Sequence, residues 1–120
     1  MSDSVDFEGV RARLAAERAS TAAQIVALQR EYDGIVEANA LIAVDDEHDP
    51  EGSNTAFERA HLGAMLGRAR QQLVDLELAL ERLEAGVYAR CEVCGGAIPL
   101  ERLEILPAVR TCVACAGRIH

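Results

Sequence analysis

The sequence contains no tryptophan and no lysine, only three prolines, and four aromatic residues in all: Phe7, Tyr32, Phe57 and Tyr88. With so few aromatics, the apolar half of the chain is mostly Ala, Leu, Val and Ile. That composition suits packed helices better than a β-sandwich. The absence of lysine leaves arginine as the basic residue, a preference that reflects codon composition more than chemistry. No apolar run is long enough to span a membrane, and the opening MSDSVDFEG is polar and acidic, unlike a signal peptide. A cytoplasmic protein is expected. Positive charge is also short: the formal net charge is −8 and the pI about 4.8. Phosphate backbones repel such a chain, so direct sequence-specific binding to nucleic acid is not expected. A basic protein surface or a metal-containing site is the better partner. Finally, no nucleophile–base pair, phosphate-binding loop or Ser/His/Asp set stands out, so nothing in the residues supports an enzyme.

What the sequence does hold is concentrated near the end of its 120 residues. All four cysteines lie in CEVCGGAIPLERLEILPAVRTCVAC, as Cys91 and Cys94, then Cys112 and Cys115. Two Cys-x-x-Cys pairs separated by seventeen residues have the spacing of a four-thiolate zinc site. Each tight turn aims two sulfurs at one point, and the intervening segment is long enough to bring the second pair back. In a reducing compartment such pairs are zinc ligands rather than disulfides. Four thiolates leave no open position for water, so one structural Zn2+ is expected. A module this small gains folding energy from the metal. Gly95 and Gly96 allow the turn that points backbone N–H groups at the ligand sulfurs. Oxidation that ejects the zinc is the redox alternative.

Before the cysteines the pattern is a heptad. From about Val5 to Ala43, Leu14, Thr21, Leu28, Ile35 and Ile42 recur every seven residues, with Ile25 and Tyr32 between them. Arg11, Arg18 and Asn39 interrupt this seam, and Gly34 is a place where the helix is expected to bend or loosen. A second helix, from about Thr55 to Ala85, has a cleaner seam: Leu62, Leu66, Ala69, Leu73, Leu76, Leu80, Leu83 and Val87, with Val74 and Leu78 widening the stripe. Gly86 is placed to end it in the left-handed conformation. Two long helices with matching seams and a short connection predict an antiparallel coiled-coil hairpin. The fold class is therefore mainly α: a hairpin over residues 1–86, with an acidic tip loop at about 45–53, followed by a four-cysteine zinc-finger module over 87–120. A monomer is expected. A homodimer or adaptor, with the heptads pairing between chains, is the competing arrangement.

The connection is densely acidic. Asp45, Asp46, Glu47, Asp49 and Glu51 fall within seven positions, and Pro50 and Gly52 are expected to keep it out of a helix. Thr55 and Glu58 then have capping-box spacing. Solvated tip charges are the plain explanation of these acids. Phe57 stands off the seam beside them and is expected to pack on the end of the first helix, near Val44 or Ala40, with an exposed anchor as the alternative.

The run Tyr88-Ala89-Arg90-Cys91-Glu92-Val93-Cys94-Gly95-Gly96-Ala97-Ile98-Pro99-Leu100-Glu101-Arg102-Leu103-Glu104-Ile105-Leu106-Pro107, with Thr111-Cys112-Val113-Ala114-Cys115, resembles the DksA/TraR C4-type zinc finger. The close match covers about thirty residues, and the long hairpin agrees with that family in architecture. The resemblance implies a bacterial transcription regulator that binds RNA polymerase and inserts its coiled-coil arm into the secondary channel. It implies that Asp45, Asp46, Glu47, Asp49 and Glu51 are the effector tip, and it makes Arg102 the candidate for a partner contact on the finger. The best-known members carry Asp-x-x-Asp-x-Ala at the tip. Asp46 and Asp49 supply the two aspartates at that spacing, but Glu51 stands where the alanine belongs. Longer relatives continue into a helix beyond the finger, whereas this sequence ends at His120.

Overall fold

The structure, a computed structural model, describes residues 6–45 and 50–117, and the side chains of all of these except 39, 41–45 and 50–53. Among the described residues four helices follow one another: α1 Phe7–Asp45, α2 Pro50–Glu84, α3 Leu100–Ile105 and α4 Val113–Ala116. Among the described residues there is no strand, only an isolated antiparallel bridge between Arg90 and Ala97. No described helix is long and apolar enough to cross a membrane.

The α1 helix starts where a side chain can take up an orphan donor: the Gly9 N–H donates to Asp6 Oδ1 at 3.1 Å. The helix continues through Gly34 without interruption. The start of α2 differs from the sequence expectation. Pro50 opens the helix instead of ending one, and Glu51, Gly52 and Ser53 lie inside it. Proline is tolerated at a first helical position, because its missing N–H has no intrahelical partner there and its φ is already helical. Residues 45 and 50–53 of the loop expected over 45–53 are therefore helical, and Thr55 lies within α2 instead of capping it.

The chain divides into two compact units. One comprises residues 1–19 and 73–120, the other residues 20–72. In the second unit, Leu28 of α1 packs with Leu62, Leu66 and Ala69 of α2, flanked by Ile25, Tyr32, Ile35 and Met65. Arg70 Nη2 donates to Gln29 Oε1 across the pair. Phe57, expected to pack, is 76% exposed. It sits five residues before Leu62, about 140° round the helix from the buried stripe.

In the first unit, Leu14 of α1 meets Leu76, Ala79 and Leu83 of α2, and the same cluster continues into Tyr88, Cys91, Ile98, Leu103 and Cys115. The seam arginines point outward and pair with acids of α2: Arg11 with Glu84 at 2.9 Å and Arg18 with Glu77 at 3.4 Å. Rising numbers in α1 meet falling numbers in α2, so the two helices run antiparallel here. Ala79 belongs to the buried stripe. Val74, two residues from Leu76 and about 160° away from it, is exposed and does not widen the stripe.

A candidate metal centre held by two cysteine turns

Everything that positions the cysteines begins at the end of α2. Gly86 has φ +78, the left-handed conformation expected of it. Its N–H donates to the Leu83 carbonyl at 3.2 Å and the Val87 N–H to the Arg82 carbonyl at 2.9 Å, the paired bonds of a Schellman motif. The Arg82 guanidinium then reaches over the turn and donates from Nη2 to the carbonyls of Val87, at 2.9 Å, and of Arg90. The reversal drives Tyr88 into the core, where it is 1% exposed, and its hydroxyl donates to the Pro107 carbonyl at 2.6 Å. Burial raises the Tyr88 pKa above its ordinary value, with Arg13 lowering it and Glu17 raising it by smaller amounts.

The first cysteine pair sits in a narrow loop closed by the Ile98 N–H on the Ala89 carbonyl (2.8 Å) and the Cys91 N–H on the Gly96 carbonyl (2.7 Å). Gly95, with φ +76, makes the turn. The Val93 N–H then points at Cys91 Sγ and the Gly96 N–H at Cys94 Sγ, each at 3.4 Å. These are the N–H to sulfur contacts that orient thiolate ligands. Next, Pro99 starts α3, whose Leu103 anchors in the core. The chain returns past Pro107 to the second pair. Cys112 precedes α4, and its carbonyl accepts the N–H groups of Cys115 and Ala116. The two halves are tied together by the Glu92 N–H on the Arg110 carbonyl at 2.8 Å. Arg110 lies between Asp75 of α2 and Glu92, 3.7 Å from each.

The result is one cluster. The four sulfurs of Cys91, Cys94, Cys112 and Cys115 all lie within 4.8 Å of one another, and Cys94 Sγ is 3.9 Å from Cys112 Sγ. A tetrahedral zinc with Zn–S bonds of about 2.3 Å needs sulfurs about 3.8 Å apart, whereas a disulfide needs about 2.05 Å. All four cysteines are free, so the arrangement fits a tetrahedral ion and not a pair of disulfides.

The electrostatics agree. The backbone N–H of Cys94, helped by those of Cys112 and Val93, holds the Cys91 thiol down to about 6 against the effect of burial. Cys115 is pushed up to about 12, chiefly by its thiol contact with Cys112 and then by burial. Four sulfurs this close share their protons unequally when no cation is bound; a dication at their centre stabilises all four thiolates together. Cys91 and Cys115 are buried, Cys112 is half-buried and Cys94 is exposed. The donor set therefore fits one structural Zn2+ with no ligand position left for a substrate.

The remaining predicted site residues are placed less completely. Arg102 is half-buried, and its Nε donates to the Thr111 carbonyl at 2.9 Å, which ties α3 to the approach of the second cysteine pair. Asp45 ends α1 and Glu51 is the second residue of α2. Asp46, Glu47 and Asp49 lie outside the described residues. Sequence reasoning missed the Arg110 link to Asp75 and Glu92 and the Arg82 clamp. It also missed the anchoring role of Tyr88. Only the Tyr88 position carried a signal, as a lone aromatic just after a helix-ending glycine.

The model of the prokaryotic dksA/traR C4-type zinc finger matches residues 86–119. Among curated proteins, the uncharacterized protein YteA of Bacillus subtilis is 39% identical over 80 residues, 67% of this chain and 32% of its own length. An uncharacterized protein of Aquifex aeolicus is 43% identical over 48 residues, 40% of this chain and 33% of its own. The B. subtilis protein YlyA is 34% identical over 56 residues, 47% of this chain and 45% of its own. The chain thus spans about a third to under a half of the length of these relatives. Among solved structures, transcription factor DksA2 from Pseudomonas aeruginosa superposes with a TM-score of 0.75, covering 93% of this chain and 81% of its own at 23% identity. At that identity the match speaks for the fold: two long paired helices and a C-terminal module. Together with four sulfurs gathered for one metal ion, the family-model match gives this chain the C4-type zinc finger of the DksA/TraR family at residues 86–119.

Proposed function

We propose that this protein regulates transcription by binding RNA polymerase directly, entering the secondary channel with its paired helices, and that it is not an enzyme. The observation that carries the reading is the union of a C4 finger of this family with a helical pair that superposes on a transcription factor over 93% of the chain. The zinc is structural, and the effector residues are Asp45, Asp46, Glu47, Asp49 and Glu51, where α1 gives way to α2. Carboxylates there suit an encounter with metal or basic groups deep in a protein channel. The net charge of −8 disfavours duplex DNA as the direct target and favours a basic protein surface. The protein acts as a cytoplasmic monomer, and Arg102 lies on the surface of the finger that meets the polymerase.

The test is a pull-down of purified bacterial RNA polymerase at low salt with zinc-loaded protein, followed by a promoter assay in vitro. Binding should persist when Asp46 and Asp49 are changed to Ala, while the effect on initiation is lost. Failure of the zinc-loaded protein to bind at low salt would sink the proposal.

A second reading rests on the exposure of Cys94, 3.9 Å from Cys112 through their sulfurs. Peroxide would accept two electrons from these two thiolates, giving one disulfide and, with two protons, two waters. The zinc would leave. Zinc release at peroxide doses that spare a control C4 protein would support this redox switch, and retention would exclude it.

A further inference from the structure

The buried clusters of the two units share no residue, and this has a consequence for what the metal holds together. Within Phe7–Ala19 of α1 only Leu14 is buried; Val10 and Glu17 are half-buried and the other ten residues are exposed. The seam positions that would normally add apolar contact, 11 and 18, are arginines engaged in exposed ion pairs. Exposed pairs contribute little. One buried leucine and the half-buried Val10 beside its cluster cannot offset the entropy of ordering thirteen residues.

The rest of what holds this segment comes from the finger. Leu14 shares its cluster with Tyr88, Ile98, Leu103, Cys91 and Cys115. Arg13 Nη1 donates to the Glu104 carbonyl at 2.8 Å, ninety-one residues away in sequence. The finger in turn depends on its metal, because two of its buried residues are themselves ligands and a module this small has little other core. Leu28, Leu62, Leu66 and Ala69 belong to the other cluster and draw nothing from the finger.

We propose that zinc occupancy controls the folding of a discontinuous unit: release of the metal melts Phe7–Ala19 of α1 together with the finger and leaves residues 20–72 folded. Zinc thus governs a stretch of helix more than seventy residues upstream of its nearest ligand. By linkage the dependence is reciprocal, so loosening the Leu14 packing must weaken zinc binding although Leu14 is not a ligand.

The test uses the full chain, kept reduced, with hydrogen exchange followed by mass spectrometry in saturating zinc and after removal of the metal by a strong chelator. Amides of 10–19 and 88–115 should lose their protection on chelation, while those of 25–35 and 62–70 keep it. Protection of 10–19 that survives chelation overturns the proposal, and so does loss of protection throughout the chain at once. A second measurement guards against an ambiguous exchange pattern. Zinc affinity, by competition with a chromophoric chelator, should fall roughly 30-fold or more in Leu14→Ala. In Leu66→Ala it should stay within about 3-fold. Equal affinities of Leu14→Ala and the wild type, or equal losses in the two variants, refute the coupling.

Discussion

Tyr88→Phe isolates a single hydroxyl in the most crowded part of the molecule. The ring stays in its place beside Leu14 and Leu103, so no cavity forms; what is lost is one donor to the Pro107 carbonyl at 2.6 Å. A neutral hydrogen bond contributes about 0.5–1.5 kcal/mol net, and an acceptor left without a partner adds to the loss. The bond is part-buried, and a cost of about 1–2 kcal/mol follows. For a cooperative unit of this size, that lowers the melting temperature by roughly 4–8 °C per kcal/mol. The pH dependence gives the sharper check. Burial raises the Tyr88 pKa, so the folded protein keeps its phenolic proton at pH values where the unfolded chain has lost it. The stability supplied by the neutral hydroxyl is fully present below about pH 10, the ordinary tyrosine value, and drains away as the pH rises toward the folded-state value. The wild type therefore loses stability on that alkaline limb and Tyr88→Phe does not. Urea unfolding followed by circular dichroism, in saturating zinc at pH 8 and pH 11, measures both effects. No loss in Tyr88→Phe at pH 8, or a gap between the two proteins that stays constant to pH 11, would refute the reasoning.

Other perturbations separate structural roles in the same way. Gly86→Ala forces a side chain into φ +78 and should cost about 1–2 kcal/mol, read by urea unfolding. By contrast, Gly34→Ala should be neutral or stabilise by up to about 1 kcal/mol, since nothing lies within 4 Å of the added carbon in an uninterrupted helix. Phe57→Ser should change stability by less than about 0.5 kcal/mol in thermal melts, because the ring is 76% exposed. Metal analysis should find one zinc per chain. Cys115→Ser, at a buried ligand, should abolish retention of the ion through gel filtration in a mild chelator.

The sequence made some of these features legible and hid others for identifiable reasons. Both helices and their pairing follow from the four-three spacing of Leu62 through Leu83 and the sevenfold recurrence of Leu14, Thr21 and Leu28, because helical geometry converts that spacing into one face. The metal cluster was equally readable, since two Cys-x-x-Cys turns leave few other arrangements. Pro50 misled because one residue carries two meanings: it breaks a helix from within and suits its first position. Phe57 and Val74 misled because an apolar residue beside a seam looks like part of it, and only its angle about the helix axis decides. The Arg13 bond to the Glu104 carbonyl, the Tyr88 bond to Pro107 and the seating of Arg110 between Asp75 and Glu92 join residues distant in sequence. No local pattern encodes such contacts.

The division of the chain also sets an order on its synthesis. Residues 20–72 are contiguous and can close on themselves once α2 has left the ribosome as far as Ala69. The first turns of α1 are made earlier still, yet the cluster that buries Leu14 is complete only after Leu103 and Cys115 have emerged. The earliest helical residues of the chain are thus among the last to be buried. A ribosome stalled between Ala69 and Cys91 would carry a closed middle and an unpacked beginning.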